Sequence, residues 1–153
     1  MDNNEVERTI RQYITQVIHV SLATCVDNKP WVCEVHFAYD DSLNLYWIST
    51  TDRRHSQEIE QNPNVAGNIV TQHHLNQKVR GVYFEGQAHK LEGVPPEHPA
   101  YLAYKSRFGE LEHLKLINDE GGPRMYQLIV SDWYLFDTYK GPSQKYRLGE
   151  ADA

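Results

Sequence analysis

The stretch IHVSLATCVDNKPWVCEVHFAYDDSLNLYWIS, residues 18–49, decides the fold class. Ile18, Val20, Leu22, Thr24 and Val26 alternate with His19, Ser21, Ala23 and Cys25. A period of two is what a pleated strand presents, one face toward a core and one away. Asp27-Asn28-Lys29-Pro30 supplies turn residues, and a second alternating run then places Trp31, Cys33, Val35, Phe37 and Tyr39 on one face. Asp40-Asp41-Ser42 turns the chain again into a third strand, Leu43–Ile48. The three strands are expected to pair as an antiparallel meander.

Outward from this block, residues 4–17 carry Val6, Ile10, Tyr13, Ile14 and Val17 at helical spacing, with Asn4 and Glu7 resembling a capping box. On the other side a polar turn, Ser49 to Arg54, leads into a short helix from Arg54 to Gln61. Asn62-Pro63 ends it, because a residue before proline avoids helical geometry. Val65 to Val70 reads as a strand. A polar loop with His73 and His74 separates it from a long strand, Val79 to Leu91, where Gly81 and Gly86 predict a bulge, a bend or a close backbone approach. Pro95, Pro96 and Pro99 open helices over Ala100–Phe108 and Leu111–Ile117. Two final strands, Met125–Val130 and Trp133–Tyr139, flank a tight turn. Seven strands with flanking helices predict a mainly β (α+β) domain spanning 1–153, closed as a barrel to hide its edges, with loose ends at 1–3 and 148–153.

Composition narrows the function. Of 153 residues, 40% are apolar and 24% charged, which supports a globular core. A net charge of −6 without a basic tract argues against nucleic-acid binding. No run approaches 18 consecutive apolar residues, so no membrane span is expected. The acidic start, Asp2, Glu5 and Glu7, lacks a signal-peptide core. Cys25 and Cys33 have no metal-ligand spacing, so free thiols in a reducing cytoplasm are expected. Ten tyrosines and three tryptophans suit strands, cofactor pockets and subunit interfaces.

One segment carries recognisable chemistry. Ser49-Thr50-Thr51-Asp52-Arg53-Arg54 joins hydroxyl donors, helix-start amides and guanidinium forks, the groups a phosphate recruits. A plain solvated helix start is the bland reading, but cations there oppose the helix dipole. No Gly-x-Gly-x-x-Gly occurs, so a dinucleotide-binding fold has little support. His73-His74 lacks a third ligand at metal spacing. No Ser-His-Asp, Cys-His or paired-carboxylate arrangement can be assembled.

Two blocks carry a family resemblance. The first joins Leu22-Ala23-Thr24, Leu45-Tyr46-Trp47-Ile48-Ser49-Thr50, Arg53 to Ile59 and Asn62-Pro63-Asn64-Val65; the second is Arg80 to Leu91. Over roughly residues 10–140 the chain resembles the pyridoxamine-5′-phosphate-oxidase-like FMN-binding split barrels. That resemblance implies a six- to seven-stranded antiparallel split β-barrel and a homodimer with two FMN sites across the subunit interface. It implies that the backbone of 33–38, including Cys33, Val35 and His36, lies against the flavin ring. Ser49, Thr50, Arg53, Arg54 and His55 would hold the phosphate, and Arg80 or Gly81 would approach the phosphate or ribityl chain. Tyr139 and Lys145 would reach toward the partner's flavin.

The chain departs from the oxidase branch of that family. Cys33 and Ala38 replace its Arg-x-x-x-x-Lys pair, His55 stands where its basic pair ends in lysine, and its C-terminal Arg-x-His is missing. Pyridoxamine 5′-phosphate oxidation is therefore not expected. The implied function is an FMN-dependent oxidoreductase for an undisclosed small molecule. The alternative is a non-catalytic protein that binds or senses flavin, deazaflavin or haem.

Overall fold

The structure is a computed structural model that describes residues 1–150. Its elements run α1 (Asn3–Ile14), β1 (His19–Val26), β2 (Lys29–His36), β3 (Ala38–Tyr39), β4 (Leu45–Ser49), α2 (Arg54–Gln61), β5 (Asn64–Ile69), β6 (Arg80–Lys90), α3 (Pro99–Phe108), α4 (Glu112–Lys115), β7 (Arg124–Asp137) and β8 (Gln144–Arg147). One sheet follows the order β2-β1-β5-β6-β7-β4-β3, with β8 beside β7, and every pairing is antiparallel. It curls into a split half-barrel flanked by the four helices. No helix among the described residues is long and apolar enough to cross a membrane.

Local chemistry explains the ends of these elements. Helix α1 starts before Asn4, because the Asp2 carboxylate accepts from the Glu5 amide at 2.8 Å. The β1–β2 hairpin closes on two residues, Asp27 (φ 53°) and Asn28 (φ 60°), the left-handed pair a tight hairpin demands. Among the residues expected to be loose, Asp2 caps α1, and the Leu148 amide donates to Trp133 O at 2.9 Å. Residues 151–153 lie outside the described chain.

The predicted three-strand meander holds in two pieces, because its second strand breaks at Phe37: Lys29–His36 pairs with β1, and Ala38–Tyr39 pairs antiparallel with Leu45 and Tyr46 of β4. After His36 the chain leaves β2, and Phe37 N donates to Ile18 O at 3.0 Å. The third strand then pairs with β7, Tyr46 facing Gln127 and Trp47 facing Tyr126. β2 and β3 therefore occupy opposite ends of the sheet path although only Phe37 separates them. Nor do the last two predicted strands turn back on each other. Residues 124–137 form one strand along the whole of β6, and Ser131 is the extra residue of a bulge between the pairs Glu85–Asp132 and Gly86–Val130. The second half of this strand also pairs with β8, which the sequence did not reveal.

Both faces of β4 are covered. Leu45 and Trp47 enter the barrel core with Val20, Leu22, Phe37 and Leu128, and Trp47 stacks on Tyr126 at 5.7 Å. Tyr46 enters a second cluster beneath α3 and α4 with Tyr101, Tyr104 and Leu114. This double burial fixes where β4 ends, and so where the polar turn that follows it emerges.

Candidate functional site

The turn after β4 feeds α2, whose first residue is Arg54 and whose N-cap is Arg53. No side chain caps this helix start, and no acidic residue lies in its first turn. First-turn amides without side-chain caps and a positive helix end favour an anion. Ser49 Oγ lies 2.9 Å from His55 Nε2, and Ser56 Oγ donates to Thr50 O at 2.9 Å, so hydroxyls brace the turn from both sides. A hydrogen bond from Thr50 holds the exposed Asp52 carboxyl below its usual range. His55 is buried; desolvation, and then Arg53, lower its pKa and favour neutral imidazole. Arg53 is exposed and has no ion pair among the described residues.

Arg54 sits differently. Its Nε donates to Glu58 Oε2 at 2.7 Å, and its guanidinium lies 4.2 Å from the Trp31 ring centroid. Glu58 is nearly buried and accepts from Thr24 Oγ1 at 3.2 Å. Its charge also reaches Cys33, whose thiol is pushed up first by burial, then by Glu58 and Glu34. The turn is thereby joined to strand β2 through an Arg54–Trp31 stack. Neither Glu58 nor Trp31 was anticipated as part of the site. The four-residue spacing of Arg54 and Glu58 was readable as an ion pair on one helix face, but the Trp31 contact depends on how α2 docks.

The remaining candidates disperse along the sheet. Val35 is a core residue paired with Val20 of β1. His36, exposed at the end of β2, stacks on Phe108 at 5.9 Å with an interplanar angle of 18°. Arg80 and Gly81 open β6 opposite Asp137 and Phe136, whereas Ser49 lies opposite Arg124, beside the Lys90 end of that strand. Within one chain a strand of this length, roughly 3.3 Å per residue, separates them from the turn. Arg80 instead pairs with buried Asp137 at 3.3 Å and covers the Tyr139 ring at 4.8 Å. Lys145 Nζ lies 5.0 Å from the Tyr83 ring centroid.

A separate cavity of about 560 Å³ lies between α1 and α3, lined by Tyr39, Asp40, Asp41 and Arg107 among others. Arg107 closes it by donating to Ile14 O at 3.1 Å and to Val17 O, its guanidinium 4.6 Å from the Phe37 ring centroid. None of the sequence-predicted site residues lines this cavity. Among the described residues, no three His, Cys, Asp or Glu side chains cluster as a metal site, and both cysteines are free thiols.

Comparison with known proteins agrees with this architecture. A UPF0306 protein of Photorhabdus laumondii is 24% identical over 94 residues, 61% of this chain. The match spans about two thirds of that relative's length, 66%. HutZ, the haem storage protein of Vibrio cholerae, superposes with a TM-score of 0.68 at 19% identity, over 90% of this chain and 95% of that one. Campylobacter jejuni ChuZ superposes with a TM-score of 0.75 at 15% identity, over 95% of this chain and 60% of that one. At these identities the two structures share the fold. Residues 6–136 match the family model described as pyridoxamine 5′-phosphate oxidase. With most of the chain inside that match and the split-barrel sheet in place, the protein belongs to the pyridoxamine 5′-phosphate oxidase family.

Proposed function

We propose that this chain binds FMN at the turn of residues 49–55, with the flavin ring along the exposed strand β2, and works as a cytoplasmic homodimeric oxidoreductase. The observation that carries this reading is the Arg54–Trp31 stack, which sets the anion-suited turn directly beside β2. A ligand with a phosphate at one end and a planar ring at the other matches that adjacency. Arg53, the outer nitrogens of Arg54, the α2 amides and the Ser49 and Thr50 hydroxyls would take the phosphate; the backbone of residues 33–38 would flank the ring. Flavin would supply the redox chemistry, and the protein's share is to bind, orient and limit access.

Haem is the second reading, favoured by HutZ and by the exposed, stacked His36 on the same strand. A non-catalytic flavin or deazaflavin carrier is the third variant of the same site. Absorption spectra of the protein, as purified and after titration with FMN and with haem, separate them. The FMN reading expects saturable FMN binding at micromolar or lower concentration and bleaching by NADH or NADPH. FMN binding without bleaching would support a carrier, and a haem spectrum without FMN binding would overturn the flavin assignment.

A further inference from the structure

Arg54 is held more tightly than a surface arginine at a helix start needs to be. Glu58 takes its Nε at 2.7 Å, and Trp31 lies against its face at 4.2 Å. Glu58 is itself anchored by Thr24, and its side chain is 9% exposed. Among the described residues neither Nη of Arg54 donates a hydrogen bond, and the side chain is 49% exposed. The guanidinium is thus fixed along one edge and one face, while its outer nitrogens remain available. Pulling Arg54 away would strand a buried carboxylate, which is costly. An anion at this turn therefore meets Arg54 as it stands.

We propose that Trp31 is a positioning residue for the anion site: together with Glu58 it sets the Arg54 guanidinium so that the two Nη groups meet the ligand phosphate as a preset fork. The proposal rests on the FMN reading above. An arginine suits this role because it can stack, bond through Nε and still present two parallel donors. A lysine offers one compact charge and can do none of these together. Trp31 carries no charge, so replacing it tests orientation without changing the electrostatics of the turn.

The experiment is titration of FMN and riboflavin into the wild type, Trp31→Leu, Trp31→Phe, Arg54→Lys, Arg54→Ala and the Trp31→Leu/Arg54→Ala double variant. Trp31→Leu is expected to weaken FMN about five- to tenfold and to leave riboflavin within about twofold, the range of one modest contact. Trp31→Phe, which keeps a stacking face, should recover most of that loss. Arg54→Lys should bind FMN as poorly as Arg54→Ala, and it carries the test should Trp31→Leu not fold. The double variant should be no worse than Arg54→Ala alone. Equal losses of FMN and riboflavin, an additive double variant or an unchanged Trp31→Leu would each overturn the proposal. Wild-type protein that binds neither flavin ends the FMN reading as well. If both flavins bind, and Arg54→Ala lowers FMN alone while Trp31→Leu changes nothing, only the positioning role is lost.

Discussion

Ser49 and His55 face each other across the turn between β4 and α2, Oγ to Nε2 at 2.9 Å, with His55 buried and Ser49 half-buried. The last strand residue before the turn is thus tied to the second residue of the helix after it. The bond gives His55 a partner as neutral imidazole, which is the form its burial favours.

That arrangement sets a pH dependence. Desolvation, with Arg53 second, lowers the folded-state pKa of His55 below its ordinary value of 6.5, while Glu58 opposes. Its stabilising contribution is complete above the unfolded value and is lost as pH falls below it toward the folded pKa. The urea midpoint of the wild type should therefore drop between pH 7 and 5.5 by more than that of His55→Gln. Equal drops in the two proteins would remove His55 as the cause.

Gly86 on β6 faces the bulge of β7, and an added Cβ there would lie 2.2 Å from the Ile129 carbonyl oxygen. Backbone on a central strand cannot give way cheaply. Gly86→Ala should cost about 2–3 kcal/mol of stability, measured by urea unfolding with an unchanged m-value. A cost below about 0.5 kcal/mol, the ordinary surface range, would show that the bulge relaxes freely.

Assembly is open to a direct measurement. Trp31, Val32 and Ile129 are exposed at 39%, 60% and 51%, apolar surface on the same sheet that the proposed flavin would share. Sedimentation at micromolar concentration should give about twice the 17.8 kDa chain mass. A monomer that still binds FMN tightly would rule out a cofactor site built across two subunits.

The protein should not oxidise pyridoxamine 5′-phosphate at a useful rate. That substrate brings a second phosphate, and the cations near the C-terminus already have partners. Lys140 pairs with Glu5, Arg147 bonds Asp132 at 2.6 Å and Glu150, and Lys145 lies over Tyr83. Incubation of FMN-loaded protein with the substrate and oxygen should yield no pyridoxal phosphate above background. Turnover of about one per second or faster, ordinary for an enzyme, would restore the oxidase reaction to this chain.

Local chemistry made part of this structure readable. The Asp27-Asn28 turn, the break at Asn62-Pro63 and the close backbone approach at Gly86 each follow from preferences carried by one to three adjacent residues. Partner choice between strands was not local. Leu45 to Ser49 pairs on one edge with the nearby Ala38–Tyr39 and on the other with β7, and nothing in its alternation names that second, distant partner. The unbroken strand through Ser131-Asp132 was hidden because its polar residues fit a bulge as well as a turn. At the candidate site, the hydroxyl-rich turn and the helix start at its arginines were legible in the sequence. The difference between an exposed Arg53 and an Arg54 committed to Glu58 and Trp31 required the docked helix.

The strand break at Phe37 also bears on how the chain reaches this structure. The β1–β2 hairpin can close as soon as it is made. β4, however, finds most of its ladder on β7, where Gln127 bonds Tyr46 across a separation of 81 residues. Loop closure on that scale must precede the contacts that reward it, so refolding is expected in the millisecond-to-second range typical of non-local β topologies. Stopped-flow tryptophan fluorescence, following Trp47 as it stacks on Tyr126, would measure it, and a microsecond phase would contradict it. During synthesis, Leu45 and Tyr46 can pair with Ala38–Tyr39, but the β7 edge of Leu45 to Ser49 stays open until residues 124–128 have emerged. For that interval the open edge of the strand that leads into the candidate turn can pair with a neighbouring chain.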